Sequence, residues 1–371
     1  MDRLPLEVVL NIMNFMPTKS VFGVMRINKN FEFAARLALS NRENLSLGRN
    51  GDPSFSPIDH VTGVRKYYIL HRQLSSTKEL EDRVQMQKSL LKMKSLKRLH
   101  VERDTDPRHS GFSNLMINTL IENNAGTLEV VHLVPNYINQ HSMPFTLLPN
   151  LRDLHVTSIT SEVPMYPKLL SLRVRTTTLR CDEFKMLPAT LTSLSLHSSV
   201  VYLDGAAPAV AHLVNLRHIG MTIYHDKEEG AAELLDFLLP FQHLTSICIH
   251  CRDYPMESEE LLPTLVRRYP NLERLLWKNL DWNDKAMECL CQFRHLQHLL
   301  IGIRNRDHWK AADVSVFLAR GPITTLKTVT VSVKGSHKDK AKQVVDEMKR
   351  RTGSTLKFDY EVGSDPFGVD P

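Results

Sequence analysis

The sequence has 371 residues, of which 42% are hydrophobic and 24% charged, and its formal net charge is +6. This composition is ordinary for a globular protein, and five cysteines in so long a chain do not make a disulfide framework. No stretch approaches the roughly 18 uninterrupted apolar residues of a membrane-spanning helix, and the first residues lack the pattern of a signal peptide. We therefore expect a protein of the cytosol or nucleus, and its positive charge eases contact with acidic partners.

The first stretch, DRLPLEVVLNIMNFMP (residues 2–17), predicts a short amphipathic helix. Its apolar residues recur at helical spacing and form one stripe. They are Leu4, Val8, Val9, Ile12, Phe15 and Met16. Pro5 falls in the first turn, where a helix tolerates proline, and Pro17 marks the end.

Two more short helices are predicted directly afterwards. Ser20 can cap a helix that carries Val21 and Phe22, and Asn28 can begin another that carries Phe31 and Ala34. Three such helices within about 38 residues rarely hold a stable core by themselves. They also carry more apolar surface than they can hide, so this module needs a partner.

The order of these residues resembles the F-box family. The pattern of that family is Leu-Pro-x-Glu, an apolar helix, a turn, a second apolar helix and a Lys-x-aromatic segment. The matching residues here are Leu4, Pro5, Glu7, Val8, Val9, Ile12, Phe15, Pro17, Val21, Phe22, Lys29, Phe31 and Ala34. The resemblance implies docking on the adaptor of SCF-type (cullin-RING) ubiquitin ligases. The adaptor-binding residues would be Leu4, Pro5, Val8, Ile12, Val21 and Phe22. The alternative is a structural bundle without a partner.

The residues that join this module to the rest of the chain are less regular. The segment NLSL (residues 44–47) predicts a short strand, and GRNGDPSFSPIDHVTG (residues 48–63) is rich in the residues of loops. Residues 64–95 are basic and have helical spacing. We predict a linker over residues 44–95.

One pattern then recurs ten times: apolar residues at the first, fourth and sixth positions of a six-residue unit. The units begin at Leu96, Leu128, Leu151, Leu169, Leu191, Leu216, Leu244, Leu272, Leu296 and Leu326. Successive units begin 18 to 32 residues apart. Lead-ins such as LPN, YPK and YPN precede several of them. Chance alternation in a leucine-rich α/β protein does not keep one register ten times.

The pattern resembles the leucine-rich repeat, whose period is about 20–29 residues. Within each unit the fourth and sixth side chains point to one side of a short strand, and stacked parallel strands then bury a continuous core. This predicts an irregular horseshoe with strands on the concave face and helices and loops on the convex face. Predicted helices include 231–239, 259–268, 283–291, 311–319 and 338–349.

Two further expectations concern the shape of the array. The two shortest units, between Leu151 and Leu191, leave room for no more than a turn. The last stretch, STLKFDYEV (residues 354–362), alternates as a closing edge strand, and residues 363–371 read as a frayed tail.

An enzyme is disfavoured by the absence of familiar catalytic motifs. The chain has no Gly-rich phosphate loop, no G-x-S-x-G and no H-E-x-x-H. A zinc site built from Cys248, Cys251, Cys289 and Cys291 is disfavoured by the spacing. Cys248 alternates with Ile247 and Ile249, so it should face away from the core. We predict no catalytic residue, no metal and no cofactor.

The outward positions of the strands predict a solvated, basic binding surface. Arg173 and Arg175 are two residues apart on one strand, with His155 on the preceding strand and His197 on the following one. We predict that these four residues bind substrate, since paired guanidinium groups clamp carboxylate or phosphate. Nucleic acid is a second possibility, but the aromatic residues that stack on bases are missing.

Together these patterns predict an α/β protein with an F-box module (1–43), a linker (44–95), a leucine-rich-repeat array (96–362) and a tail (363–371). The predicted function is substrate recognition in an SCF-type ubiquitin ligase. Its partners would be the adaptor, through it a cullin, and a protein target that is acidic or phosphorylated. The alternative is a non-catalytic scaffold with a vestigial F-box, with nucleic acid as one conceivable ligand.

Overall fold

The computed structural model describes residues 5–16, 24, 29–40, 44–47, 94–102, 114–134, 148–156, 166–175, 178–179, 181–201, 206–223, 230–251, 260–278, 284–303, 325–333, 346 and 357–362. The chain divides into two compact units, Met1–Leu170 and Ser171–Pro371. Within the described residues, no helix has the length and apolar character needed to cross a membrane.

Two helices open the first unit, α1 (Leu6–Phe15) and α2 (Lys29–Ser40). Val9 and Met13 of α1 pack against three buried alanines of α2, namely Ala34, Ala35 and Ala38. Because alanine has no side chain beyond Cβ, the two helices form a core from few atoms. The Pro5 carbonyl, just before α1, accepts hydrogen bonds from the backbone N–H groups of Val8 and Val9. Most of the predicted middle helix lies outside the described residues.

The rest of the first unit is a parallel sheet with one helix. The strands are β1 (Asn44–Leu47), β2 (Arg98–Glu102), β3 (Val130–Val134) and β4 (Asp153–Val156), and α3 (Asn114–Asn123) lies between β2 and β3 in the chain. The strands pair in chain order, and each pair is parallel.

The second unit continues the same alternation over nine strands. Its strands are β5 (Ser171–Val174), β6 (Thr178–Leu179), β7 (Ser193–Val201), β8 (His218–Ile223), β9 (Ser246–Cys251), β10 (Arg274–Lys278), β11 (His298–Ile303), β12 (Thr328–Val333) and β13 (Lys357–Val362). Its described helices are α4 (Cys181–Lys185), α5 (Ala206–Val210), α6 (Gly230–Leu238), α7 (Leu261–Arg268) and α8 (Asp284–Leu290). From β7 to β13 every consecutive pair is parallel, and both β5 and β6 pair with β7.

The apolar positions of the repeat form the core of both units. The first and fourth residues of all ten units are buried, as are the sixth residues of the first eight. In β10, for example, Leu275 and Trp277 are fully buried while Glu273, just before the strand, is exposed. The buried face follows directly from the alternation of side chains along a strand.

A second regularity joins neighbouring repeats through the backbone. The second residue of a unit donates its N–H to the carbonyl of the second residue in the preceding unit. Examples are Arg152 to Glu129 (2.8 Å), Thr245 to Arg217 (2.8 Å), Glu273 to Thr245 (2.8 Å), Gln297 to Glu273 (2.7 Å) and Lys327 to Gln297 (2.7 Å). These bonds extend the ladder beyond the strands, so neighbouring repeats are held in one register.

The predicted α/β leucine-rich-repeat architecture is confirmed, with one strand for each of the ten units, two edge strands (β1 and β13) and the short additional strand β6. Helices 231–239, 259–268 and 283–291 correspond to α6, α7 and α8. The predicted helices 311–319 and 338–349 lie outside the described residues, apart from a single helical position at 346. The predicted domain boundaries stay a prediction.

Two expectations about the connections and the outward face were wrong. The unit between Leu169 and Leu191 holds α4, so it has room for more than a turn. The outward face is not simply solvated: Cys248 is only 5% exposed and Leu300 only 2%, although both alternate with core residues. The outward face of the central strands of the second unit is therefore partly covered, as is common in parallel sheets.

Truncating a core position of the repeat should destabilise the fold. We expect Leu275→Ala to lower the free energy of unfolding by about 2–5 kcal/mol, since it leaves a cavity in a fully buried layer. Urea denaturation of the full chain measures this change. The matched control is Glu273→Ala, two residues earlier and exposed, which should stay within about 0.5 kcal/mol. Similar losses in both variants would contradict the burial pattern.

Candidate functional site

The first candidate site is an apolar surface on the two N-terminal helices. Its four residues are Val8 and Ile12 of α1 and Phe33 and Leu37 of α2, which are 41%, 50%, 57% and 37% exposed. We call these four residues the helical patch. Large apolar side chains left in solvent next to a small core mark a binding surface.

The helical patch includes two of the six predicted adaptor-binding residues, Val8 and Ile12. Pro5 is also exposed and directly precedes α1. Leu4, Val21 and Phe22 lie outside the described residues. The assignment of all six to adaptor binding stays a prediction.

The second candidate site is a row of three histidines on the outward face of the first unit. His100, His132 and His155 occupy the same register position on β2, β3 and β4. Their rings meet edge to face, with centroids 5.7 and 5.8 Å apart. The Nε2 atom of His132 lies 3.0 Å from Oδ2 of Asp153 on β4. We call the three residues the histidine ladder.

The histidine ladder does not have the geometry of a metal centre. Among the described residues, no three histidine, cysteine, aspartate or glutamate side chains are arranged to hold a metal ion. Edge-to-face packing and the bond to Asp153 instead fix the ring of His132 on the sheet.

The third candidate site crosses the outward face of the second unit. Five polar residues occupy one register position on five consecutive strands, β8 to β12. They are His218, Ser246, Arg274, His298 and Thr328, which we call the polar row. Nδ1 of His218 lies 2.6 Å from Oγ of Ser246, and Nδ1 of His298 lies 2.7 Å from Oγ1 of Thr328. Arg274 lies between these two pairs.

Both histidines of the polar row favour the neutral form. The pKa of His218 is lowered from 6.5 to about 4, mainly by burial and then by the positive charges of Arg274 and Arg173. Burial also lowers the pKa of His298, where Arg274 and Lys327 act in the same direction and Glu273 opposes them. A charged imidazole is disfavoured there because it would lose water and face guanidinium groups.

The four residues predicted to bind substrate are divided between the two units. His155 lies on β4 in the first unit, where it ends the histidine ladder. Arg173 on β5 is half-buried, Arg175 directly after β5 is exposed, and His197 is part of β7. Arg173 is in register with Ser195, so its position and that of His197 share one side of the sheet. Their binding of substrate stays a prediction.

Sequence reasoning predicted a basic outward face but missed two combinations of residues on it. His132 pairs with Asp153, and Arg274 is flanked by two hydroxyl-bound histidines. The residues of the polar row share the third position of their repeats, and this equal position is the signal that places them side by side. Phe33 of the helical patch has no such signal, because helical spacing alone does not say which stripe is covered.

A comparison with protein families bears on the N-terminal helices. Residues 1–40 match the family model described as the F-box domain. The chain carries an F-box domain followed by leucine-rich repeats. F-box domains generally bind Skp1-type adaptor proteins. The F-box and the repeats together support a role in protein interaction.

Solved structures that resemble this F-box and repeat chain include two bacterial proteins. The leucine-rich repeat-containing protein LegL7 from Legionella pneumophila is 14% identical, with 76% of this chain and 98% of that chain covered and a TM-score of 0.44. An internalin (InlF) from Listeria monocytogenes is 13% identical, with 94% and 95% covered and a TM-score of 0.42. The search of curated proteins found no match. The leucine-rich-repeat assignment rests on the repeats of the chain itself.

The lowered pKa of His218 predicts a loss of stability in mild acid. The folded pKa is about 4 and the reference value 6.5, so the unfolded chain takes up the proton first as the pH falls. Stability should therefore decrease from about pH 6.5 to pH 4, and one pKa unit corresponds to about 1.4 kcal/mol. We expect His218→Gln to remove on the order of 2 kcal/mol of the pH dependence.

Urea denaturation of the full chain at pH 7 and pH 5 measures this difference. The matched control is His295→Gln, which changes an exposed histidine in the turn before β11. The control should keep the pH dependence of the wild type. Identical pH dependence in His218→Gln and the wild type would show that His218 does not titrate as described.

Proposed function

We propose that this chain is the substrate-recognition subunit of an SCF-type E3 ubiquitin ligase. Its F-box binds the Skp1-type adaptor and, through the adaptor, the cullin. Its leucine-rich repeats hold a protein target. The chain itself performs no chemistry in this proposal, and it works in the cytosol or the nucleus.

The observation that carries the proposal is the helical patch within the matched F-box residues. Val9 and Met13 are used in the core with α2, while Val8 and Ile12 on the same helix stay exposed. Phe33 and Leu37 of α2 are exposed apolar residues as well. Covering a Phe or Ile side chain contributes roughly 1.5–3 kcal/mol each, so an adaptor that seats on the helical patch gains much of its affinity there.

The outward face of the repeats supports a separate role in holding the target. The polar row carries the side chain of Arg274 together with hydrogen-bonding histidines and hydroxyl groups. The histidine ladder lies on the outward face of the first unit. Polar groups held by a regular sheet are suited to positional recognition of a partner.

A charge placed in the helical patch should abolish adaptor binding. We expect Ile12→Asp to weaken binding of the Skp1-type adaptor by about thirtyfold or more, since truncating or charging an interface anchor costs about 2 kcal/mol or more. Calorimetric titration of the purified full chain with the adaptor measures this affinity. The combined change of Leu4 and Pro5 to Ala should have the same effect.

The matched control is Val214→Asp, which changes an equally exposed apolar residue (51%, against 50% for Ile12) in the second unit. This control should bind the adaptor like the wild type. If the wild type fails to bind the adaptor, or if Ile12→Asp binds it undiminished, the chain is better described as a scaffold with a vestigial F-box.

A further inference from the structure

The polar row has a half-buried guanidinium group at its centre. Arg274 follows Ser246 and precedes His298 in the order of the strands. Neighbouring strands lie about 4.8 Å apart, so both neighbours are within reach of its side chain. Among the described residues, no acceptor makes a hydrogen bond or ion pair with the Arg274 guanidinium. A half-buried guanidinium group with no anionic partner among these residues offers up to five N–H donors to a ligand.

Each of the two histidines of the polar row makes a hydrogen bond through one of its ring nitrogens. Nδ1 of each ring is bound to a hydroxyl oxygen, at 2.6 Å in His218 and 2.7 Å in His298. No other hydrogen bond of either ring is found within the described part of the chain. When the hydroxyl donates to Nδ1, Nε2 carries the proton and is itself a donor. Each neutral imidazole can therefore offer one N–H to an acceptor beside Arg274.

The charge of a second guanidinium group, that of Arg173, also acts on His218. The charge of Arg173 lowers the pKa of His218 together with that of Arg274, and no carboxylate opposes them at His218. Arg173 on β5 is in register with Ser195 on β7, which in turn is in register with Gly220 on β8. Arg173 therefore occupies the register position next to that of the polar row. Both of the charges that act on His218 are thus positive.

The surroundings of the polar row exclude much of the solvent. Ser246 is 9% exposed, and Cys248 and Leu300 in the adjacent register position are buried. Charge-assisted hydrogen bonds gain strength in such an environment, because water competes less and the effective dielectric constant is lower. An anion bound beside Arg274 would offset the positive charge that acts on His218.

The geometry points to an oxyanion-binding site centred on Arg274, with His218 and His298 as neutral donors and Arg173 as a second cation. The site takes one phosphate or carboxylate group on a side chain of the protein target, which rests on the proposed function as a substrate receptor. Arg274 offers bidentate geometry to such a group, and the imidazoles add donors without competing for charge.

Three synthetic peptides of one glycine-rich sequence test the site, with phosphoserine, glutamate or serine at the centre. Calorimetric titration of the full chain measures their affinities at two salt concentrations. We expect the phosphoserine or the glutamate peptide to bind at least about tenfold more tightly than the serine peptide, and more weakly at high salt. Whether the phosphoserine or the glutamate peptide binds more tightly shows whether the site takes a phosphate or a carboxylate group. Equal affinity for all three peptides overturns the proposal.

Variants of the site separate Arg274 from general positive charge. Arg274→Gln should reduce the affinity for the preferred peptide at least about tenfold, and Arg274→Lys should restore only part of it, because lysine lacks the planar fork. The matched control is Arg294→Gln, which removes an exposed arginine of the same unit and should bind like the wild type. Undiminished binding by Arg274→Gln, or an equal loss in Arg294→Gln, overturns the assignment.

Two further measurements keep the test independent of folding and of the F-box. If Arg274→Gln is unstable in urea denaturation, Arg274→Lys and His218→Gln take its place, and unchanged affinity in both then overturns the proposal. Arg274→Gln should still bind the Skp1-type adaptor, and Ile12→Asp should still bind the preferred peptide. Failure of adaptor binding and failure of oxyanion binding are therefore distinguished.

Discussion

The common register of the repeats is the constraint on which the array depends. Most repeats donate a backbone N–H at the second position to the corresponding carbonyl of the repeat before, as Glu273 does to Thr245 and Gln297 to Glu273. A slip of one residue would turn every side chain of a strand to the other face. The backbone bonds and the buried leucines therefore enforce the same arrangement, and neither is satisfied without the other.

The fixed register has a consequence for the outward face. Residues with the same place in successive repeats become neighbours across the sheet, although they are 18 to 32 residues apart in the chain. The polar row arises in this way, with Arg274 beside Ser246 and His298. Because the adjacent register position is buried at Cys248 and Leu300, the row lies in a partly desolvated environment. Desolvation and the arginine charge lower the pKa of both histidines, which favours neutral imidazoles over further cations in the row.

The helical module and the repeats bury their apolar side chains in different ways. The repeats can bury each strand against the next, so their apolar positions are covered within the chain. The module has no neighbouring copy of itself. Its core uses Val9 and Met13 against three alanines, and larger side chains such as Ile12 and Phe33 remain exposed. The chain thus presents an apolar surface at the helices and polar, charged surfaces on the strands, which suit partners of different chemistry.

The sequence by itself determined the alternation of strands and connections, the residues of the core and the F-box character of the first helices. These properties depend on local spacing, since Leu272, Leu275 and Trp277 are buried wherever a strand of this pattern stacks on another. Only the tertiary structure decided how covered the outward face is and which polar groups act together. Cys248 alternates away from the core as the sequence predicts, yet it is buried, because its exposure depends on side chains from other strands. The pairing of His218 with Ser246 and the lowered pKa of His218 depend on the same long-range proximity, which local periodicity does not contain.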